Sequence, residues 1–195
     1  PMATLVVWAL LDAKRTGHVT AVGGATGIVV GLVAITPAAG FVSPLGAIAI
    51  GAIAAFPSYF AILYRSRTKL DDSLDVFAGH GLGGLTGALL TGVFAEKAWG
   101  GYDGLLSGNP GQLTTQAIGA GVSVLYAGLM TFGILKLIGL VTTLRTARNL
   151  EGVGLDVTQH GEEAYTSGEG SILVLPNSDP TPEFAPTLTP QGATR

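Results

Sequence analysis

Cysteine is absent from the 195 residues, which excludes a disulfide framework, a thiolate metal site and a cysteine nucleophile. Charge is scarce. Only 12% of the residues are Asp, Glu, Lys or Arg, against about 25% in a soluble domain. The net charge of -3 gathers into no basic cluster, so nucleic acid is not an expected partner. The sequence also lacks an H-E-x-x-H motif, a Ser/His/Asp set and paired carboxylates facing a cavity. It therefore reads as no enzyme, with no metal and no cofactor.

What the chain has instead is apolar length. Hydrophobic residues make up 48% and the mean hydropathy is +0.51. The 30 glycines follow no collagen period, and they suit membrane helices whose backbones approach closely. A helix crossing the hydrocarbon core needs about 20 apolar residues. Four segments reach that length, at about 18–36, 42–64, 74–95 and 112–141. Residues 3–12 are apolar but short, as the end of a truncated helix over 1–15 would be. The chain starts inside this run and is expected to be the back of a longer protein. The predicted fold class is all-α integral membrane.

The connections alternate in charge. Lys14 and Arg15 lie in the first; Arg65, Arg67 and Lys69 lie in the third; Arg145 and Arg148 follow the last helix. The second has no Lys or Arg, and the fourth has Lys97 alone. The positive-inside rule puts the basic connections and the C-terminus in the cytoplasm. Residues 146–165 are polar, and the Pro/Thr-rich run within 166–195 is expected to be disordered. Ser171–Leu175 is a candidate short strand.

Two predicted helices carry glycine every fourth residue: Gly23, Gly27, Gly31 and Gly79, Gly83, Gly87. Residues four apart share a face, so each helix offers a neighbour a smooth groove. His80 lies beside the second groove, flanked by Gly79 and near Gly83 and Gly84. An ionisable side chain at membrane depth is costly and marks a functional candidate. On an α-helical wheel it points into the protein, opposite a lipid-facing stripe of Leu82, Leu85, Leu89 and Val93. Two readings stay open: a buried histidine bonded to a neighbouring helix, or an imidazole lining a path for protons or small polar solutes. Asp71, Asp72 and Asp75 precede this helix. Asp72 or Ser73 can cap its free amides, and Asp75 either shares that anchoring or lines a cytoplasmic mouth. His18 reads as solvated. Gly81-Leu82-Gly83-Gly84 falls within a membrane segment, so a nucleotide-loop reading fails on context.

Three strings resemble the ammonium transporter family (Amt/MEP/Rh). Asp71-Asp72 with Asp75-Val76-Phe77 and His80-Gly81 is similar to the helix carrying the second of the family's twin pore histidines. Leu32–Gly40 resembles its eighth helix and exit. Glu151-Gly152-Val153-Gly154-Leu155-Asp156 with His160-Gly161-Glu162-Glu163-Ala164-Tyr165 resembles its cytoplasmic C-terminal signature. Ala78-Gly79 departs from the Gly-Val common in the family.

The resemblance implies the C-terminal portion of an eleven-helix inverted-repeat fold, from the end of helix seven onward, assembled as a homotrimer in the plasma membrane. It implies ammonium or ammonia, with methylammonium as analogue, passing His80 in an apolar pore. It further implies that Gly154, Asp156, His160, Gly161, Glu162 and Tyr165 form a regulatory tail responsive to a PII-type signalling protein. Half of an inverted repeat leaves groove faces uncovered, so 1–195 alone is expected to be poorly stable. The competing expectations are an ammonium sensor on the same scaffold and a non-conducting structural membrane protein.

Overall fold

The structure, a computed structural model, describes residues 1–162. Tyr165, the run 166–195 and the candidate strand Ser171–Leu175 lie outside them. The chain divides into two compact units, residues 1–131 and 132–195. Each is described on its own.

In the first unit, α1 spans Met2–Thr16 and ends at Gly17. Helix α2 spans Ala21–Ile35. Its N-cap Thr20 accepts the Gly23 N–H at 2.9 Å, and a 3-10 turn, Thr36–Ala38, continues it through Pro37. Helix α3 spans Pro44–Arg65 and opens on a proline at its first position, where the missing N–H costs nothing. A π-helical segment, Phe77–Leu82, runs directly into α4, Gly83–Phe94. A single turn, α5 (Lys97–Gly100), and a 3-10 turn, Leu105–Ser107, lead to α6. Helix α6 spans Pro110–Ile138 and so runs past the unit boundary. The second unit adds α7 (Arg148–Val153) and a π turn, Asp156–His160. Among the described residues four helices are long and apolar enough to cross a membrane: Ala21–Ala38, Pro44–Arg65, Phe77–Phe94 and Pro110–Ile138.

The core forms where α1, α2 and α3 meet, around Trp8, Val30, Ala34, Ile50, Ala54 and Tyr59. Lipid tails are as apolar as leucine, so membrane helices gain little from hiding apolar surface from one another. Close packing and hydrogen bonds supply the attraction instead. The small residues show how. A Cβ on Gly27 would lie 2.9 Å from Trp8 Cβ, and one on Gly31 would lie 2.6 Å from Pro1 Cα. The Gly23–Gly27–Gly31 face of α2 is thus filled by α1. Gly87 of α4 sits against the Ala34 carbonyl of α2, where a Cβ would fall 2.7 Å from the carbonyl carbon. Thr4 of α1 donates its hydroxyl to the Gly51 carbonyl of α3 at 2.9 Å, fully buried.

The end of α4 is tied back to the start of α3. Glu96 donates its N–H to the Phe41 carbonyl at 2.9 Å, and Ser43 donates its hydroxyl to the Glu96 carboxylate at 2.5 Å. Val42 and Ala95 form an isolated antiparallel bridge beside them.

Three substitutions test this packing in the detergent-solubilised protein. Gly87→Ala, which forces its methyl into backbone, lowers stability by about 2–3 kcal/mol. Gly24→Ala meets only the Leu5 side chain, at 3.5 Å, and leaves thermal unfolding unchanged. Thr4→Val keeps the shape but removes the donor, and costs about 1 kcal/mol by the same measurement.

Candidate functional site

The site begins at the last residue of α3. Between Arg65 and Phe77 the chain must turn and start a new helix whose first amides have no partners. Asp72 supplies them. Its Oδ1 accepts the Val76 N–H at 2.9 Å and its Oδ2 the Phe77 N–H at 3.0 Å. A carboxylate there also meets the positive end of the helix dipole. Asp75 does something different. Its Oδ1 accepts Arg65 Nη2 at 2.6 Å and Arg65 Nε at 2.9 Å. Its backbone has φ 53°, a left-handed conformation that costs a side-chain-bearing residue of order 1 kcal/mol. From there its carbonyl accepts the Gly79 N–H at 2.8 Å.

The following turns are π-helical, Phe77–Leu82, where the sequence reading has an ordinary α-helix. Such wide turns are rare and recur at functional positions. Here Gly79, Gly81, Gly83 and Gly84 leave little side-chain packing to resist one. Ala78 and Gly79 are buried. A Cβ on Gly79 would meet Val30 at 3.9 Å, and one on Gly83 would meet the Ser58 hydroxyl at 3.5 Å and Val30 at 3.6 Å. A Cβ on Gly84 would reach Val33 at 3.6 Å. The Gly79–Gly83–Gly87 stripe is therefore the contact face toward α2 and α3.

His80 lies off that stripe and is exposed. Phe77 and Val76 are exposed beside it. The α-helical wheel aims His80 into the protein. Among the described residues nothing covers its face. Two residues of the leucine stripe, Leu85 and Leu89, line an open apolar groove with Ala117, Gly121 and Val124 of α6.

A cavity of about 180 Å³ opens beside Asp75, which lines it together with Trp8, Asp12, Arg15, Thr20 and Tyr59 among others. Trp8 meets Tyr59 edge to face, with ring centroids 5.1 Å apart. Thr20 donates weakly to Asp12 Oδ2, at 3.4 Å. Among the described residues the buried Ser58 hydroxyl has no hydrogen-bond partner, and the Tyr59 hydroxyl lies near Asp12 and Arg15. Sequence reasoning missed this cavity, Arg65 and Ser58 alike. The cavity's polar residues come from distant parts of the sequence, and only folding brings Asp12, Arg15, Thr20 and Tyr59 together beside Asp75. Among the described residues no group of His, Asp and Glu has a metal-binding arrangement.

In the second unit the described tail residues, Gly154, Asp156, His160, Gly161 and Glu162, lie in one short turn region. Gly154 has φ 117°, which a side chain resists. Glu162 donates its N–H to the Asp156 carbonyl at 3.1 Å. Thr158 donates its hydroxyl to the Gly154 carbonyl at 2.8 Å. His160 is exposed and directly precedes Gly161. Arg145 grips Glu151 with Nε at 3.0 Å and Nη2 at 3.3 Å.

Comparison with known proteins places this geometry. Over 161 residues the chain is 46% identical to an ammonium transporter of Aquifex aeolicus, covering 82% of this chain and 38% of that protein. It superposes on Saccharomyces cerevisiae Mep2 with a TM-score of 0.70 at 29% identity, covering 85% of this chain and 36% of that one. A solved structure titled Sensor Amt Protein matches with a TM-score of 0.70 at 28% identity, covering 81% and 39%. The chain thus spans less than half the length of each of these relatives. The model of the Ammonium Transporter Family matches residues 2–165, and the chain belongs to that family.

Proposed function

We propose that this chain is the C-terminal portion of a multi-pass membrane transporter that moves ammonium or ammonia past His80. The observation that carries the reading is the open, glycine-backed face on which His80 stands. Gly79 and Gly83 press the helix against α2 and α3, and the imidazole is left on a side that none of the described residues covers. In the complete protein the other half of an eleven-helix inverted repeat closes that face and brings a second histidine to it. The chemistry suits the cargo. An ammonium ion loses several kcal/mol of hydration in an apolar pore. Neutral ammonia needs only one or two hydrogen-bond partners, and an imidazole offers a donor or an acceptor. A pair of imidazoles in contact titrates as one unit and can hold one proton between them.

The same reading places the basic ends, Lys14 and Arg15, Arg65 to Lys69, and Arg145 and Arg148, in the cytoplasm. It assembles the complete protein as a homotrimer and sets Gly154, Asp156, His160, Gly161, Glu162 and Tyr165 at its cytoplasmic face. There the turn held by Gly154 and Asp156 gives a PII-type signalling protein a shaped surface. In the pore helix, Asp75 anchors the cytoplasmic end, and Gly79, Gly83, Gly84 and Gly87 let it pack.

A sensor reading is favoured by one observation, the match to a structure whose title names a sensor. The two part on transport. A sensor shows a tail-dependent transcriptional response to ammonium with no uptake.

In the full-length protein, His80→Ala is expected to lower methylammonium uptake about tenfold, as the loss of one hydrogen-bonding group worth ~1.4 kcal/mol implies. Membrane expression stays at the unsubstituted level. Unchanged uptake in this variant would overturn the pathway role of His80.

A further inference from the structure

Resting on the reading of His80 as a pathway residue, we propose that Arg65 is a positioning residue for its imidazole, acting through the backbone of Asp75. Asp75 is the one non-glycine residue with positive φ among the described residues. Left-handed backbone persists in such a residue only when its surroundings hold it there. Here the holder is visible. Arg65, the last residue of α3, grips a single oxygen of the Asp75 carboxylate with two nitrogens, at 2.6 and 2.9 Å.

The ion pair is not needed to cap the helix. Asp72 already satisfies the amides of Val76 and Phe77. Nor is it a buried source of stability, since both side chains keep about a quarter of their exposure, where ion pairs contribute little. What it sets is direction. The Asp75 carbonyl is already part of the helix, accepting the Gly79 amide at 2.8 Å, and Gly79 is the residue before His80, so the φ of 53° fixes how that helix is turned about the chain that enters it. Released to an ordinary negative φ, Asp75 would rotate the segment from its own carbonyl onward, His80 included, relative to the incoming chain and its Asp72 carboxylate. The π-helical turn carrying His80 would then take another rotational setting against α3. The guanidinium at the end of one membrane helix thereby fixes the rotational setting of the imidazole on the next.

Glycine supplies the test, because it takes up φ near 53° without help. Methylammonium uptake is measured in the full-length protein and normalised to folded protein in the membrane by size-exclusion chromatography. Arg65→Gln is expected to lower uptake about fivefold while the melting temperature stays near that of the unsubstituted protein, in line with a population shift rather than unfolding. Arg65→Lys, which keeps the charge and loses the fork, falls between the two. The double variant Arg65→Gln/Asp75→Gly is expected to return to within about twofold of the unsubstituted rate. A role for the charge alone predicts no such rescue. Full uptake in Arg65→Gln, or a double variant as slow as the single one, overturns the proposal. If Arg65→Gln does not accumulate, Asp75→Gly alone decides. Near-normal uptake supports the proposal, and a loss of about fivefold overturns it. His80→Ala, run in parallel, separates the two levels. If it is slow and Arg65→Gln is not, only the positioning role falls. If His80→Ala is itself unimpaired, the pathway reading falls first.

Discussion

Everything in the first unit depends on how near α4 can come to α2. At Gly87 the two backbones approach so closely that the Ala34 carbonyl occupies the space of a side chain. Membrane helices have no strong solvent drive to associate, so attraction must come from contact, and contact needs small residues. The glycines of α2 receive α1 in the same manner, with Trp8 and Thr4 filling the spaces that Gly27 and Gly31 leave. The result is a tight packing of backbones in which a polar residue can be presented on the remaining free face without loosening the bundle. His80 is such a residue. Its helix is held from behind by glycine contact and from below by the carboxylates of Asp72 and Asp75.

The division of labour between those two acids gives the site its local logic. Adjacent acidic residues at a helix start look interchangeable in a string of letters. In the fold one spends both oxygens on amides, and the other spends one oxygen on a guanidinium. The first starts the helix and the second orients it. The unusual backbone at Asp75 and the π-helical turn after it are neighbours for a reason. A helix entered from a left-handed residue begins out of phase, and a wide turn is one way to recover the register.

Much of this was legible beforehand. The apolar runs showed the membrane helices, because length against bilayer thickness is a coarse and reliable measure. The four-residue glycine spacing showed which faces pack, because only that spacing stacks residues along one side. His80 stood out because an ionisable group in an apolar run has an energetic cost to explain. The winding around His80 was not legible. A wheel drawn at 3.6 residues per turn cannot anticipate a π turn, and the residues that permit one, Gly79 and Gly81, are the same residues that signal packing. The Arg65–Asp75 pair was hidden for a different reason. Arg65 reads as one of several basic residues in a charged connection, and its partner ten residues on is chosen by backbone direction. The cavity around Asp12 and Tyr59 needed three helices to exist at all.

The contacts at the far end of α4 carry a mechanical consequence. Glu96 is fastened to Phe41 and Ser43 at the start of α3, while Asp75 is fastened to Arg65 at its close. The antiparallel neighbours are thus joined at both extremities, like a beam resting on two supports. Sliding α4 along its axis must break a polar bond whichever way it moves, and tilting it must drive the Gly87 backbone into Ala34. What such a beam retains is torsion about its own length. The softest place to twist is the loosely wound stretch from Phe77 to Leu82.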